Sequence, residues 1–520
     1  MYYALTYNFS GGCAFQIVMK ACFLHQRSFT YVTHALAVAL KKKYGVTDFC
    51  AYVYTRPAYN FLKSQKDINY SALLFDEELH NNYKSAELDY DFLKQIEKDY
   101  GLPNLWPYIC VDRIVRFNQL VREYPYNTPK YSHEEMLKIL QVKTKAVLEF
   151  LEKEKPDFIF IRFMGAVGSL LLYHVAKKKG IRVLTLMPFG IKNAHILSEE
   201  HKRFPEVEKA FARNVASPDK NNPYFAKAEK FLRDFRVKPA VYYETATPER
   251  QQIARPKQLK FLMPGNLYKS LKFLSKLLLQ RFAGESAEDY SFIRPSEWLI
   301  DRAKRKIRGL IGYDDLYDKI DAKENFAFFP MHSEPDVSIL LQSPFMDNQI
   351  YLADKIARSL PAGFKLYVKD HPTMANYRPR SYYKELKKIP NVKFINPRVT
   401  SFELSKMSKI VITIISTAAW EAMLLKKPVI TCGDVFYNKL SFVKNCRALE
   451  DLPNLVKTQL ENFNYSEAEL LNFLAAMFEE TAEFELYRYW GQESSFEEIL
   501  AGIDPLADLL AKKLHLQKIG

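Results

Sequence analysis

Short apolar runs alternate along this chain with longer stretches whose apolar residues recur every three or four positions. The first run pattern predicts strands at Phe49–Thr55 and Ser71–Phe75. From Tyr131 to Lys155, Met136, Ile139, Leu140, Val147, Leu148 and Leu151 mark one face of a helix. A buried strand is expected at Pro156–Phe163, then a helix over Gly165–Gly180 with Gly180 as its C-cap, then a strand at Ile181–Pro188. Strand, helix and strand in so short a span form a βαβ unit, which requires a parallel sheet with a right-handed crossover.

The rhythm breaks between about 200 and 322, where charge, aromatics and proline predominate, and a helical insertion plus linker is expected. It resumes at Asn325–Asp336. A helix over about Asn348–Leu360, a strand at Lys365–Lys369, a strand at Val392–Ile395 and a helix at Ser401–Ser408 follow. The strand Ile410–Ile415, the helix Ala418–Lys426 and the strand Pro428–Cys432 complete a second unit. From Ser466 the pattern is mostly helical. The expected class is α/β, with two doubly wound Rossmann-type domains. Residues 1–200 form an N-terminal domain, 201–322 a basic helical insertion, 323–465 a C-terminal domain and 466–520 a helical tail.

A length of 520 residues exceeds one ordinary core, which agrees with two domains. The 48% hydrophobic and 14% aromatic content excludes a disordered chain. No apolar run approaches the roughly 18 residues that span a bilayer. The start, MYYALTYNFSGGCAF, lacks the charged lead and apolar core of a signal peptide, so a cytoplasmic protein is expected. Six cysteines without a CxxC pair point to free thiols.

Basic residues exceed acidic ones by 15, and the excess is concentrated. Arg255–Arg281 holds seven basic residues and no acidic one. Leu267, Leu271, Leu274 and Leu278 fall at helical spacing, and Lys269, Lys272 and Lys276 occupy another face. Such a helix suits an anionic membrane surface, although a solvated helix packed on its own domain has the same period. Nucleic acid is not an expected partner, because the aromatics are not interleaved with the basic residues and no recognition motif occurs.

Candidate chemistry lies at strand ends, where ligands of open α/β sheets bind. One tip is Lys369-Asp370-His371-Pro372, in which proline stops the strand and turns the imidazole outward. A second is Ser416-Thr417, opening an apolar helix with Glu421 one turn in. A cation, a histidine and a hydroxyl pair at a helix start suit a phosphorylated ligand; as a plain alternative the hydroxyls only cap the helix. A third tip carries His332, Glu334 and Asp336 in a loop marked by Pro330 and Pro335. Gly165 and Gly168 sit where a phosphate loop could be, but without its spacing, and close packing explains them equally well. Asp89-Tyr90-Asp91 has the form of a metal-binding DxD, in a charge-rich stretch where chance suffices. No metal site and no cofactor are expected.

Several of these segments together carry a family likeness. YVKDHP, the run PNV…SFEL…STAAWEA…KPVI and FFPMHSEPD resemble the bacterial capsule polysaccharide biosynthesis family, which includes Kdo transferases of GT-B type. YGLPNLWPYICVDR (Tyr100–Arg113) and KPDFIFIR (Lys155–Arg162) extend the resemblance to most of the chain outside 200–322. The HP and Ser-Thr pair is also similar to motifs of bacterial sialyltransferases, which use CMP-activated sugars. The resemblance implies a metal-independent inverting glycosyltransferase using a nucleotide-sugar donor, such as CMP-Kdo or a related acidic sugar, and a glycan or glycolipid acceptor. His371, Ser416 and Thr417 would then contact the nucleotide phosphate. Lys369, Asp370, Pro372, His332, Glu334 and Glu421 would complete the donor site. The family's acidic motif has no clear counterpart, and Asp112 is the best candidate base. Two other readings remain: polyol-phosphate transfer from a CDP-activated donor, as in teichoic-acid polymerases, and a non-catalytic nucleotide-sugar-binding scaffold.

Overall fold

A computed structural model describes residues 19–118, 129–217, 221–237, 263–282, 289–374, 376–490 and 494–519. Cys13 and residues 255–262 of the basic segment lie outside the described residues.

Two sheets organise the chain. The first contains β1 (Lys20–His25), β2 (Asp48–Val53), β3 (Tyr70–Phe75), β4 (Phe158–Ile161), β5 (Arg182–Pro188) and β6 (Ala194–Ser198). The second contains β7 (Phe326–Pro330), β8 (Lys365–Lys369), β9 (Val392–Ile395), β10 (Ile410–Thr413), β11 (Val429–Thr431) and β12 (Val443–Asn445). One more strand, β13 (Thr481–Glu483), returns to the first sheet.

The second sheet has the order β9-β8-β7-β10-β11-β12 and its pairs are all parallel. Its chain order therefore reverses between β7 and β10, the switch point of a doubly wound sheet. The first sheet repeats the arrangement as β3-β2-β1-β4-β5, with antiparallel β6 and β13 on its edge. The doubly wound α/β class expected from the pattern is thus present twice. Almost every residue of β1, β2, β4, β7 and β8 is buried, as continuous apolar runs covered on both faces must be.

β1 and the helix Phe29–Tyr44 after it were not expected from the pattern. That helix buries twelve of its sixteen residues, so its apolar period is nearly circular and gives no single face. The helix expected at 165–180 runs Val167–Lys178; Lys179 is its cap, and Gly180 follows at φ 78. The region 200–322 is helical where described, at Pro205–Ala216, Pro223–Val237, Pro264–Phe282 and Pro295–Ile311.

The two sheets meet with their carboxyl ends toward each other. A Cβ on Gly165, just after β4, would lie 2.8 Å from Cγ2 of Val337, which opens the first helix after β7. One on Gly190, at φ 74 between β5 and β6, would lie 3.0 Å from Trp420 Nε1. A shared apolar core joins the units, with Phe189, Ile196 and Phe204 packed in one cluster with Phe326, Tyr367 and Trp420. The helix Glu467–Glu479 lies in the same cluster, and the helices Phe496–Gly502 and Asp504–Leu514 then pack on Phe29–Tyr44 of the first unit. Among the described residues no helix is long and apolar enough to cross a membrane.

Candidate functional site

Register brings three strand ends of the second sheet level. Pro330 of β7 stands opposite Lys369 of β8, and Phe328 opposite Val411 of β10 two residues before its end. The loops leaving these strands therefore converge, as expected for two tips at one switch point. They border a cleft, about 470 Å³ with its open solvent included, lined by Lys369, Asp370, His371, Pro372, Ser416 and Glu421. Thr400, Ser401 and Phe402 form another wall.

His371 is held in one tautomer. Thr373 N donates to its Nδ1 at 3.2 Å, and Thr373 Oγ1 lies 2.6 Å from the same nitrogen. The ring proton therefore resides on Nε2. Burial, with the neighbouring positive groups, lowers the His371 pKa to about 3. It is a neutral hydrogen-bond donor at ordinary pH, and not the imidazolium that its place beside a phosphate first suggests. Lys369, 2% exposed at the end of β8, supplies the positive charge.

The helix Thr417–Leu424 begins at the cleft. Ser416 Oγ caps it, accepting from Ala418 N at 3.1 Å. Thr417 is not on the cleft wall, and its Oγ1 is buried with no hydrogen-bond partner among the described residues. Glu421 returns to the wall and is 5% exposed.

His332 and Glu334 stand behind the wall. His332 Nε2 accepts from Ile415 N at 3.4 Å, which ties the loop after β7 to the loop after β10. Its Nδ1 is buried without a partner among the described residues, and burial lowers its pKa to about 4. Asp336 caps the helix Val337–Gln342, accepting from Ser338 N at 2.8 Å. Glu334 and Asp370 both face Arg378, a fully buried guanidinium. Glu334 Oε2 lies 3.1 Å from Arg378 Nη2. Asp370 is held by Arg378 and by the Tyr383 hydroxyl. Arg378 also donates to the His332 carbonyl at 2.8 Å. These carboxylates fix the loops, and only Asp370 reaches the wall.

Asp112 is elsewhere. It caps the helix Arg113–Phe117, with Oδ1 accepting from Ile114 N at 3.0 Å and Val115 N at 3.1 Å. Oδ2 accepts from Val167 N at 3.2 Å. Both oxygens are engaged by backbone amides, at 2% exposure, and burial pushes the carboxyl up. This local structure gives it the geometry of a cap and not of a base presented to an acceptor.

Gly168 resolves in favour of packing, because a Cβ there would meet the Tyr52 hydroxyl at 1.9 Å. Asp89 is a helix cap, accepting from Phe92 N at 2.9 Å. The five described cysteines are free thiols. Among the described residues no group of three His, Cys, Asp or Glu side chains could hold a metal ion.

Two features had escaped the sequence reading. The wall at Thr400–Phe402 carried a usable signal, the S/T-x-x-E capping box: Thr400 Oγ1 accepts from Glu403 N and Glu403 reaches back to Thr400 N. Arg378 carried none, since burial of one arginine in a polar loop leaves no periodic mark.

Residues 268–473 match the family model described as capsule polysaccharide biosynthesis protein. That span contains every wall of the cleft, and over it the likeness read from the motifs holds. Protein FixF of Sinorhizobium fredii (strain NBRC 101917 / NGR234) is 32% identical over 124 residues, which is 24% of this chain and 30% of that protein. The match thus spans under a third of the relative's length. Among solved structures, Thermosulfurimonas dismutans KpsC, beta Kdo 2,7 transferase, is 14% identical over 78% of this chain and 97% of its own, with a TM-score of 0.36. Methanocaldococcus jannaschii UDP-GlcNAc 2-epimerase in complex with UDP-GlcNAc and UDP is 13% identical over 89% and 99%, with a TM-score of 0.26.

Proposed function

With residues 268–473 carrying a domain of the capsule polysaccharide biosynthesis family, we propose that the chain is a metal-independent, inverting glycosyltransferase acting in bacterial surface-polysaccharide assembly. The donor is a nucleotide-activated sugar, CMP-Kdo or a related acidic sugar. It sits in the cleft with its phosphate toward Lys369, His371 and the start of the helix Thr417–Leu424. The observation that carries this reading is the set of electropositive groups assembled at one switch point: a buried lysine, a neutral Nε2–H donor and a capped helix start.

A donor fixed by packing stabilises charge that develops on the leaving phosphate without reorganising during the reaction. Nε2–H of His371 is such a donor, because Thr373 occupies the other nitrogen. Lys369 opposes the charge through a poorly solvated wall. The Arg378 cluster maintains the spacing of the tips by tying the loop after β7 to the loop after β8. The acceptor hydroxyl loses its proton to a carboxylate other than Asp112.

Calorimetric titration with CMP, CDP and UDP tests the donor site, and saturable binding of a cytidine nucleotide is expected. Absence of binding by all three would defeat the proposal. Product analysis separates sugar transfer from polyol-phosphate transfer, since only the latter leaves a phosphodiester. The engaged state of Asp112 favours a second reading, a nucleotide-sugar-binding scaffold without turnover. Nucleotide binding with no transfer to any capsular acceptor would select it.

The proposal includes an anionic membrane surface as a partner. The helix Pro264–Phe282 exposes Leu267, Leu271, Leu278 and Phe282 on one stripe, while Leu274 and Leu277 turn inward. The helix Pro295–Ile311 exposes Leu299, Ile307 and Leu310 in the same manner. Apolar stripes beside Lys269, Lys272 and Lys276 support seating on anionic lipid. Flotation with phosphatidylglycerol vesicles should fall in the variant Lys269→Glu, Lys272→Glu; equal recovery would remove this partner.

A further inference from the structure

A second groove among the described residues belongs to the first unit and is distinct from the donor cleft. It encloses about 1650 Å³ open to solvent. Arg27, Thr30 and Tyr31 line it just beyond β1, and Thr55 and Phe61 just beyond β2. It therefore stands outside the carboxyl ends of parallel strands, where open α/β sheets bind their ligands.

We infer that this groove binds an acidic oligosaccharide, as the acceptor chain. Its walls combine the two things a sugar ring presents: apolar C–H faces and polar edges. Tyr31 and Phe61 meet at 4.7 Å with planes 65° apart, and Phe61 meets Phe496 at 6.4 Å and 65°. Aromatic rings set at an angle form a corner that takes ring faces from two directions. Hydroxyls stand beside them. Thr30 is 1% exposed, lines the groove, and its Oγ1 has no hydrogen-bond partner among the described residues. A buried hydroxyl left unbonded is costly, and a ligand hydroxyl would satisfy it.

Charge sets the class of sugar. Arg27 and Lys276 line the groove, and the acidic wall residue among the described residues, Asp289, is occupied by Ser291, whose N and Oγ donate to it at 2.8 and 2.6 Å. Arg27 holds φ 48, a left-handed conformation unusual for a bulky residue. Such backbone conformations concentrate where a side chain serves a ligand. Lys276 and Leu277 belong to the helix Pro264–Phe282, so the inserted segment supplies one wall.

The word acceptor rests on the transferase reading, whereas the binding does not. Full-length protein is titrated with hexagalacturonate and with maltohexaose, and separately with the cytidine nucleotides. Saturable binding of hexagalacturonate, tighter than maltohexaose, is expected. Tyr31→Ala should weaken it about five- to tenfold, and Thr30→Val about threefold to fivefold. Tyr31 is 37% exposed, so its loss should leave the melting temperature near that of the unaltered protein. Failure of both oligosaccharides to bind, or equal affinity in Tyr31→Ala, overturns the groove even if nucleotide binds. Oligosaccharide binding without nucleotide binding keeps the groove and removes the transferase.

Discussion

The two sheets share a strand order through β3-β2-β1-β4-β5 and β9-β8-β7-β10-β11, yet their carboxyl ends differ in size and chemistry. The second unit borders about 470 Å³, open solvent included, with a lysine, a histidine and a helix start. The first opens about 1650 Å³ lined by aromatics, hydroxyls and two cations. Topology chose the location of both sites; loop residues chose what each can hold.

Each unit also holds a buried ionic cluster, and these too differ. In the first unit Asp76 binds Lys143 Nζ at 2.7 and 2.8 Å, and also accepts from the Tyr52 hydroxyl and, at 2.9 Å, the Tyr290 hydroxyl. One carboxylate there has several donors. In the second unit one guanidinium, Arg378, serves two carboxylates. Removing the cation leaves very different remainders.

The largest effect expected is acid instability, which both units share. Burial lowers the pKa of His25, His201 and His371 to about 3, and of His34, His174, His195 and His332 to about 4. The unfolded chain takes up protons near pH 6.5 that the folded chain refuses. Stability is therefore greatest above about pH 6.5 and falls as pH drops toward those values, by several kcal/mol at about pH 5. Urea unfolding across pH 5–8 measures this; a flat midpoint would contradict it.

Arg378→Met comes next and separates the two clusters. It leaves Asp370 and Glu334 buried without a cation, and a loss of about 3–5 kcal/mol is expected. Lys143→Met leaves Asp76 with two tyrosine hydroxyls and should cost less. Thermal unfolding of the pair decides, and equal losses would erase the distinction.

His371→Ala should lower turnover about 10²–10³-fold while oligosaccharide affinity stays unchanged. Because the folded His371 is already neutral, the wild-type rate should show no limb near pH 6.5 from this residue. Retained transfer, or a limb abolished by the substitution, would contradict the assigned role.

The smallest effect is Gly168→Ala, which inserts a methyl group where the Tyr52 hydroxyl lies. A loss of about 1–3 kcal/mol is expected, with unchanged nucleotide binding. A loss confined to nucleotide binding would restore the phosphate-loop reading of these glycines.

Much of the fold was legible because fully buried parallel strands read as unbroken apolar runs. Phe158–Ile161, Phe326–Pro330 and Ile410–Thr413 all fell where expected. β1 was not legible, since KACFLH carries a lysine and a histidine at its ends. β6 and β13 were not legible either, because their pairing joins residues almost three hundred positions apart; the helical tail was expected, its return to the first unit was not. At the site, KDHP and Ser-Thr marked a cleft through local signals: a proline-stopped strand and a helix cap. Which of these residues face the ligand was not local information. Asp370, His332 and Glu334 share a small space with Arg378, and that guanidinium holds both carboxylates, keeping Glu334 off the wall that Asp370 reaches.

The sequence by itself determined the two α/β units, the strand ends that carry the tips and the residue types available there. These follow from periodicity, proline geometry and capping, all of which act within a few residues. Only the tertiary structure decided that His371 is neutral, that Asp112 is a cap, that Thr417 turns from the wall, and that the basic insertion completes a groove on the first unit. Each depends on burial and on partners distant along the chain, and electrostatics and packing act through space.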